Sequence, residues 1–426
     1  MNRPVIVALG LLALVATCPA QKLTLARCLE LAKSSSLKAR ASDAAIRGSE
    51  LEREELQTTK LPQVKLTSDA SYAPNSGTRG YDPAITDGGQ LGGRISVQQS
   101  LYDAGVRSLR SDQLSTERNA LVKEKQITQR DLVFGIQQLF IEALRSQKEM
   151  ELQQQSLKQL REYLELVQQL MKGGQGSYTD MLKTQMQVQA TERSLQKAYE
   201  SLAFTKYALA EVMGRSIDTS FTIEGSMESL LAASPTNGAS LDVSQNLDVT
   251  LAQLNVSKSA FEIEIQKSER LPVIGAFADA GLLTSIDNLR LPSSERSGMF
   301  GYMVGLSLEI PLFTWGATDL RVQQKQLATD ALGLQLEAVR RSVTTEYQKT
   351  LLQLNRAEER VQSLRVSLKA ADENFILTKS KYASGGVLSL EVLAAQQLLT
   401  DLKLDELQTL ADRQALLAKI EQITTR

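Results

Sequence analysis

Two periodicities alternate along this chain. From Val339 to Phe375, apolar residues recur at spacings of three and four: Val339, Val343, Tyr347, Leu351, Leu354, Ala357, Val361, Leu364, Leu368, Ala371 and Phe375. That spacing predicts a helix with a sustained coiled-coil seam. Leu157, Leu160, Leu164, Val167 and Met171 carry the same rhythm earlier, and Gln147 and Gln154 interrupt it upstream. Other segments alternate with period two, the strand signature. Val64, Leu66, Ala70 and Tyr72 alternate with Lys65, Thr67, Asp69 and Ser71. Tyr302, Val304, Leu306, Leu308, Ile310 and Leu312 share one face, with Ser307 and Glu309 opposite. Strands near Leu91–Leu101 and Val273–Leu283 complete a set of four; the latter is small and apolar on both faces, so its orientation stays open.

Proline punctuates this pattern. None of the nine falls between Pro83 and Pro235 or after Pro311. Because proline costs about 3 kcal/mol inside a helix, both stretches are free to be helical. The chain also repeats itself. Leu61-Pro62 recurs as Leu271-Pro272 (271 − 61 = 210), and Leu101, Tyr102 and Gly105 recur as Leu312, Phe313 and Gly316 (312 − 101 = 211). Gly174, Asp180, Leu182 and Gln185 match Gly385, Glu391, Leu393 and Gln396 at the same offset of 211. A tandem duplication follows, residues 22–213 and 240–426, joined by a linker over 214–240. Each copy reads helix, strand, strand, long helix, helix.

In the first copy a helix over Leu25–Thr59 leads to barrel strands at 62–73 and 91–102 and a helical hairpin over 104–212. In the second, a helix over Val243–Arg270 leads to strands at 272–284 and 300–313 and a hairpin over 317–425. Each long hairpin helix, Ala104–Lys172 or Thr318–Tyr382, is expected to reach about 100 Å. Each then meets a glycine break, Gly173-Gly174 or Gly385-Gly386. The segments Ala73–Gln90 and Ser285–Gly298 read as exposed loops.

Composition narrows the function. The formal net charge of −1 argues against a nucleic-acid partner. The chain contains no histidine, which excludes a Ser-His-Asp triad and imidazole metal sites. Gly88-Gly89 and Gly92-Gly93 are too sparse to cradle phosphate, and no cofactor or catalytic constellation emerges. Residues 1–20 read as a secretory signal: Arg3, an apolar run from Val5 to Ala16, and Cys18-Pro19-Ala20 before the cut. Acylation of Cys18 is the rival reading. If Cys18 leaves, Cys28 is the one remaining thiol. Beyond the signal no apolar run is long enough for a spanning helix.

Short alternating strands alone suit a soluble sandwich. Aromatic residues at or near the strand ends (Tyr72, Tyr102, Phe300, Tyr302, Phe313, Trp315) favour a membrane interface instead. Four strands cannot close a barrel, and open edges are not tolerated in lipid, so partners must complete it. Three copies would supply twelve strands.

With its duplicated plan, the Pro-Leu-Phe-x-x-Gly motif at Pro311 to Gly316 and the two hairpin tips, the chain resembles the TolC-like outer-membrane efflux family. Ser100 stands where the second copy has Pro311, a looser match. The resemblance implies a mainly α chain in a homotrimeric, twelve-stranded outer-membrane barrel continued by a periplasmic α-helical tunnel. It also implies a mixed α/β belt built from the linker, with Phe221-Thr222-Ile223 as a short strand, and from the C-terminus. The implied partners are a periplasmic adaptor and an inner-membrane transporter. The resemblance places Glu391 in a ring of acids narrowing the periplasmic entrance, with Asp180 as its first-copy equivalent. Ala394 stands where the family often has a second acid, and Lys183 can neutralise Asp180. Tyr382 matches a latch position whose hydroxyl holds neighbouring hairpins closed. Gly174, Gly385 and Gly386 would form the turns an adaptor grips. Each has a purely structural alternative: a solvated acid, a seam aromatic, a turn glycine. A structural coiled-coil envelope protein would not need two matched strand pairs, and an adaptor would carry a single hairpin between soluble β-domains.

Overall fold

The computed structural model describes residues 22–73, 88–214, 221–231, 242–285 and 299–425. The expected signal peptide with Cys18, most of the two exposed loops and much of the linker lie outside the described residues. The described residues form two compact units, one within 22–37, 128–231 and 344–425, the other within 38–127 and 242–343.

The second unit holds a four-stranded antiparallel sheet of β2 (Gln63–Ala73), β3 (Gly88–Tyr102), β5 (Val273–Ser285) and β6 (Met299–Glu309), in the order β2-β3-β5-β6. The central pair joins the two sequence copies, and β2 and β6 are left as edges. Register settles which way β5 faces. Ala276, Ala278 and Ala280 pair with Leu306, Val304 and Tyr302 on one side, and Ala278 and Ala280 pair with Val97 and Ile95 on the other. Through Val97↔Val64 and Ile95↔Leu66 the apolar face runs across all four strands. Lys65, Asp69, Arg94 and Asp279 fall on the opposite face.

The strand ends differ from the sequence reading at one place above all. β6 stops at Glu309 rather than reaching 313. Pro311 has no N–H to donate and restricts Ile310 before it. The first copy has Ser100 there, and β3 continues to Tyr102 past a bulge between Ser100 and Tyr102. Both copies then turn through the same left-handed pair, Ala104-Gly105 (φ 55 and 78) and Trp315-Gly316 (φ 52 and 78). A non-glycine residue in this region is strained by about 1 kcal/mol or more. In the first copy Asp103 accepts the N–H of Arg107 at 3.2 Å, capping the helix that follows.

Four helical segments flank the sheet strands in this unit: α2 (Leu37–Thr58), the start of α3 (Val106–Lys172), α5 (Leu247–Ser268) and the start of α6 (Ala317–Ala383). Ion pairs connect them in the order of their strands. Arg118 binds Glu50 at 3.0 Å between α3 and α2, and Lys325 binds Glu262 at 2.7 Å between α6 and α5. Lys258 and Glu117 link α5 to α3 at 3.8 Å. The helix expected over Val243–Arg270 begins instead with a single 3-10 turn, Val243–Gln245. Asn246 then caps α5 by accepting the N–H groups of Asp248 and Val249.

The first unit is helical. The single helix expected over Leu25–Thr59 is two: α1 (Leu25–Ser35) ends where Ser36 turns extended (φ −63, ψ 108), and α2 starts at Leu37. Ser35 donates its hydroxyl to the carbonyl of Met213 at 3.0 Å, a contact between distant segments that no local pattern announces. Leu23, Cys28 and Ala32 pack with Ile136, Phe140 and Leu144 of α3, and with Leu209 and Ala210 of α4 (Tyr178–Val212). Leu407 and Leu410 of α7 (Ser389–Thr424) join them. Two short strands, β1 (Lys22–Leu23) and β4 (Thr222–Ile223), pair in parallel beside this core. Of the short strand expected at 221–223, Thr222 and Ile223 form it and have a partner, while Phe221 lies outside it. Gln147, an interruption of the helical seam, binds both the N–H and the carbonyl of Ile223 at 3.1 Å. Gln414, fully buried, binds the carbonyl of Met227 at 2.9 Å and the N–H of Leu231 at 3.1 Å. Both amides satisfy linker backbone that would otherwise be buried without partners.

Candidate functional site: the hairpin tips and the sheet faces

Each hairpin turns by the same device. The N–H of Gly174 bonds the carbonyl of Met171 at 3.1 Å, and that of Gln175 bonds Leu170 at 2.9 Å. In the second copy Gly385 bonds Tyr382 at 3.0 Å, and Gly386 bonds Lys381 at 2.9 Å. This is the Schellman closure, whose pivot needs a left-handed residue; Gly174 and Gly385 both have φ +77. Gly386 aligns with Gln175, not with the pivot, and a side chain there would make only ordinary contact. Its glycine is not required by the turn. Gly176 is: a Cβ there would lie 2.7 Å from the Met171 nitrogen.

The return helices start differently. Ser177 caps α4, accepting the N–H of Thr179 at 3.2 Å, with Asp180 in the first turn. Its counterpart Leu388 offers no side-chain cap to α7, whose first turn carries Glu391. Glu391 is exposed, and no ion pair holds it among the described residues. Asp180 is half-buried. The expected pair with Lys183 does not form; the Asp180 charge acts on the phenols of Tyr163 and Tyr382 instead.

Tyr163 and Ser389 form the part that pattern reading missed. The Tyr163 hydroxyl donates to Ser389 Oγ at 3.0 Å, and the Tyr163 ring meets Tyr382 edge-on with centroids 5.5 Å apart. Tyr163 is 2% exposed and Ser389 fully buried. Burial pushes the Tyr163 phenol above its ordinary range, opposed by the Ser389 bond and aided by Tyr382 and Asp180. Tyr382 is raised for the same first reason, burial, with Asp180 next. So Tyr382 is both a packed seam aromatic and a member of a hydroxyl cluster, and Asp180 is brought to it. Around them Leu160, Val167, Val188, Phe375, Val392 and Leu399 close an apolar tip cluster. The available signal was Tyr163 itself, a polar-tipped ring one position off the Leu160–Leu164 seam.

The sheet supplies the second site. Its apolar face is exposed: Val64, Leu66, Tyr72, Ile95, Phe300, Tyr302, Val304, Leu306 and Leu308 cover nothing in this chain. Asp69, Arg94, Asp279, Gly281, Gly301 and Met303 border a hollow of about 580 Å³. Strands of 11, 15, 13 and 11 residues meet the length of about 9–11 that a tilted membrane strand requires. Among the described residues no helix is long and apolar enough to cross a membrane. Backbone that enters lipid must be fully paired, a requirement that strands of this length meet once their sheet is closed.

A family model for outer membrane efflux proteins matches residues 28–215 and again 240–426. The chain belongs to the outer membrane efflux protein family. It is 25% identical to the outer membrane protein TolC of Vibrio cholerae over 348 residues, 80% of this chain and 76% of that relative. A shorter likeness, 26% over 160 residues, links it to the proteases secretion protein PrtF of Dickeya chrysanthemi, covering 37% of this chain and 33% of that protein. The fold is shared with CusC, whose structure superposes with a TM-score of 0.81 at 14% identity over 95% of this chain and 92% of that one. The VceC outer membrane protein of Vibrio cholerae superposes at 0.77 and 16% identity over 94% and 95%. Family membership makes this chain an outer-membrane channel subunit of efflux or secretion systems, with its helical part in the periplasm. The family and its fold neighbours are channels rather than enzymes.

Proposed function

We propose that three copies of this chain close one twelve-stranded barrel. The barrel would accept cargo delivered through a periplasmic adaptor from an inner-membrane transporter. The observation that carries this is a four-stranded sheet with two unpaired edges and one continuous exposed apolar face. β2 and β6 run in opposite directions, so the edge of one copy continues the antiparallel alternation of the next. Two copies would give only eight strands, a barrel whose interior side chains fill; twelve leave a lumen. The face carrying Lys65, Asp69, Arg94 and Asp279 lines that lumen.

At the hairpin tips, Glu391 from each copy places one carboxylate in a shared constriction, and a ring of like charge favours cations. Asp180, Tyr382, Tyr163 and Ser389 hold the second hairpin against the first and keep the entrance narrow. Gly174, Gly385 and Gly386 present the turns that an adaptor contacts. The test is native mass spectrometry of detergent-extracted outer membranes, followed by planar-bilayer conductance. A trimer is expected, and Glu391→Gln is expected to lower cation selectivity. A folded monomer removes the barrel proposal, and unchanged selectivity removes Glu391 from the gate.

A further inference from the structure

The two helices at the edges of the sheet-bearing unit each carry an apolar seam on the side turned away from the rest of the chain. On α6, Leu320, Leu327, Ala331, Leu334 and Ala338 follow a heptad rhythm, and the three leucines are 66%, 69% and 70% exposed. On the other side of α6, Lys325 and Thr329 contact α5 through Glu262 and Ser259. On α2, Ala41, Ala44, Gly48 and Leu51 recur at spacings of three and four and are all exposed. On its other side, Asp43 and Glu50 bind Lys125 and Arg118 of α3. At 100° per residue, the α6 seam lies about half a turn from the side that meets α5, and the α2 seam somewhat over a third of a turn from the side that meets α3.

Gly48 sharpens the point. It sits mid-helix, where only proline is a poorer helix former. A side chain built there would meet nothing within 4 Å. Nothing in its own chain accounts for that glycine; a knob arriving from another chain would.

We infer that the α6 leucine seam of one copy docks on the small-residue seam of α2 in the next copy, Leu327 seating near Ala44 and Gly48. This rests on the reading that several copies close one barrel. In such a barrel β6 lies beside the neighbour's β2. α6 leaves β6 just as α2 enters β2, so the two helices run antiparallel and side by side. The seams match in size, leucine knobs against alanine and glycine holes. They also match in charge. Arg40 flanks the α2 seam on the edge that meets the α6 edge carrying Asp330, because antiparallel helices bring like-numbered flanks together; Arg47 and Glu337 on the same edges already pair within their own helices, with Glu50 and Glu54 and with Arg341. The contact is head-to-tail, with different surfaces on each copy, and it closes into a ring.

The test is oxidative cross-linking of full-length protein in outer membranes, with native mass spectrometry on the same samples. Leu327→Cys combined in one chain with Gly48→Cys, Ala44→Cys or Ala41→Cys should yield covalent dimers and trimers on a non-reducing denaturing gel. Leu327→Cys alone should not. Gly48→Leu, harmless within one copy by the space around it, should weaken trimer recovery about tenfold while leaving helical content unchanged. Trimers that none of the cysteine pairs can link, or a Gly48→Leu trimer as stable as the parent, would overturn the seam pairing and leave the barrel standing. Folded monomers of the parent protein would overturn both.

Discussion

The Tyr163 hydroxyl donates to the Ser389 hydroxyl across 3.0 Å, tying the outgoing helix of the first hairpin to the first residue of the second hairpin's return helix. Both groups are buried, so they depend for hydrogen bonds on each other and on the Tyr382 hydroxyl beside them. Ser389→Ala leaves the phenol without this partner and is expected to cost about 1–3 kcal/mol. Tyr163→Phe should cost a similar amount or less, because the Tyr382 hydroxyl remains beside the serine. Thermal unfolding of each variant, with the double variant closing the cycle, measures the coupling. The Tyr163 phenol is raised by burial. Its contribution is therefore fully present below the ordinary tyrosine value, about 10, and is lost as pH climbs past it. Hydrogen exchange at the tip should accelerate above that pH in the parent and less so in Tyr163→Phe.

The turn pivots allow a sharper comparison. Gly174→Ala and Gly385→Ala force a side chain into φ +77 and are each expected to cost about 1–2 kcal/mol, read as faster exchange of the tip amides. Gly386→Ala should be neutral or slightly stabilising, since its backbone is ordinary and its surroundings have room. If Gly386→Ala nonetheless abolishes export while the tip stays folded, glycine is needed there for close approach by a partner.

Neighbouring residues of β6 should respond oppositely to charge. Val304 lies on the exposed apolar face and Met303 on the face with Asp279, its paired residue. Val304→Arg is expected to cost about 2–4 kcal/mol near the bilayer midplane, and Met303→Arg little. Heat-modifiability of the outer-membrane species on gels distinguishes them: the first variant should fail to give the folded form, and the second should retain it.

What could be read in the sequence follows from range. Period two in β2 and β6, period three-to-four in α3 and α6, and the offset of 211 are local or internal comparisons; they give the type and order of these elements, while ends such as that of β6 at Glu309 shift. The orientation of β5 could not be read, because Ala276, Ala278 and Ala280 look alike on both faces until their partners Leu306, Val304 and Tyr302 are known. The break at Ser36 is fixed by contacts with the far side of the chain, Ser35 to Met213. At the tips, Gly174, Gly385, Asp180 and Glu391 were visible as a matched pair of motifs. Tyr163 and Ser389 were not, since they meet across 226 positions of sequence and differ from their counterparts in the other copy. Gln147 looked like a defect in a seam and Gln414 carried no signal; the purpose of both emerges only with the linker backbone they hold.

The left-handed steps at Ala104-Gly105 and Trp315-Gly316 keep one backbone geometry in both halves, although one side chain is a buried methyl and the other an exposed indole stacked edge-on against Phe313. In the proposed assembly that elbow occurs six times around the rim and the indole three times. Main chain there approximates sixfold symmetry while chemistry stays threefold, so a ligand or lipid that senses aromatic rings would find alternate elbows inequivalent.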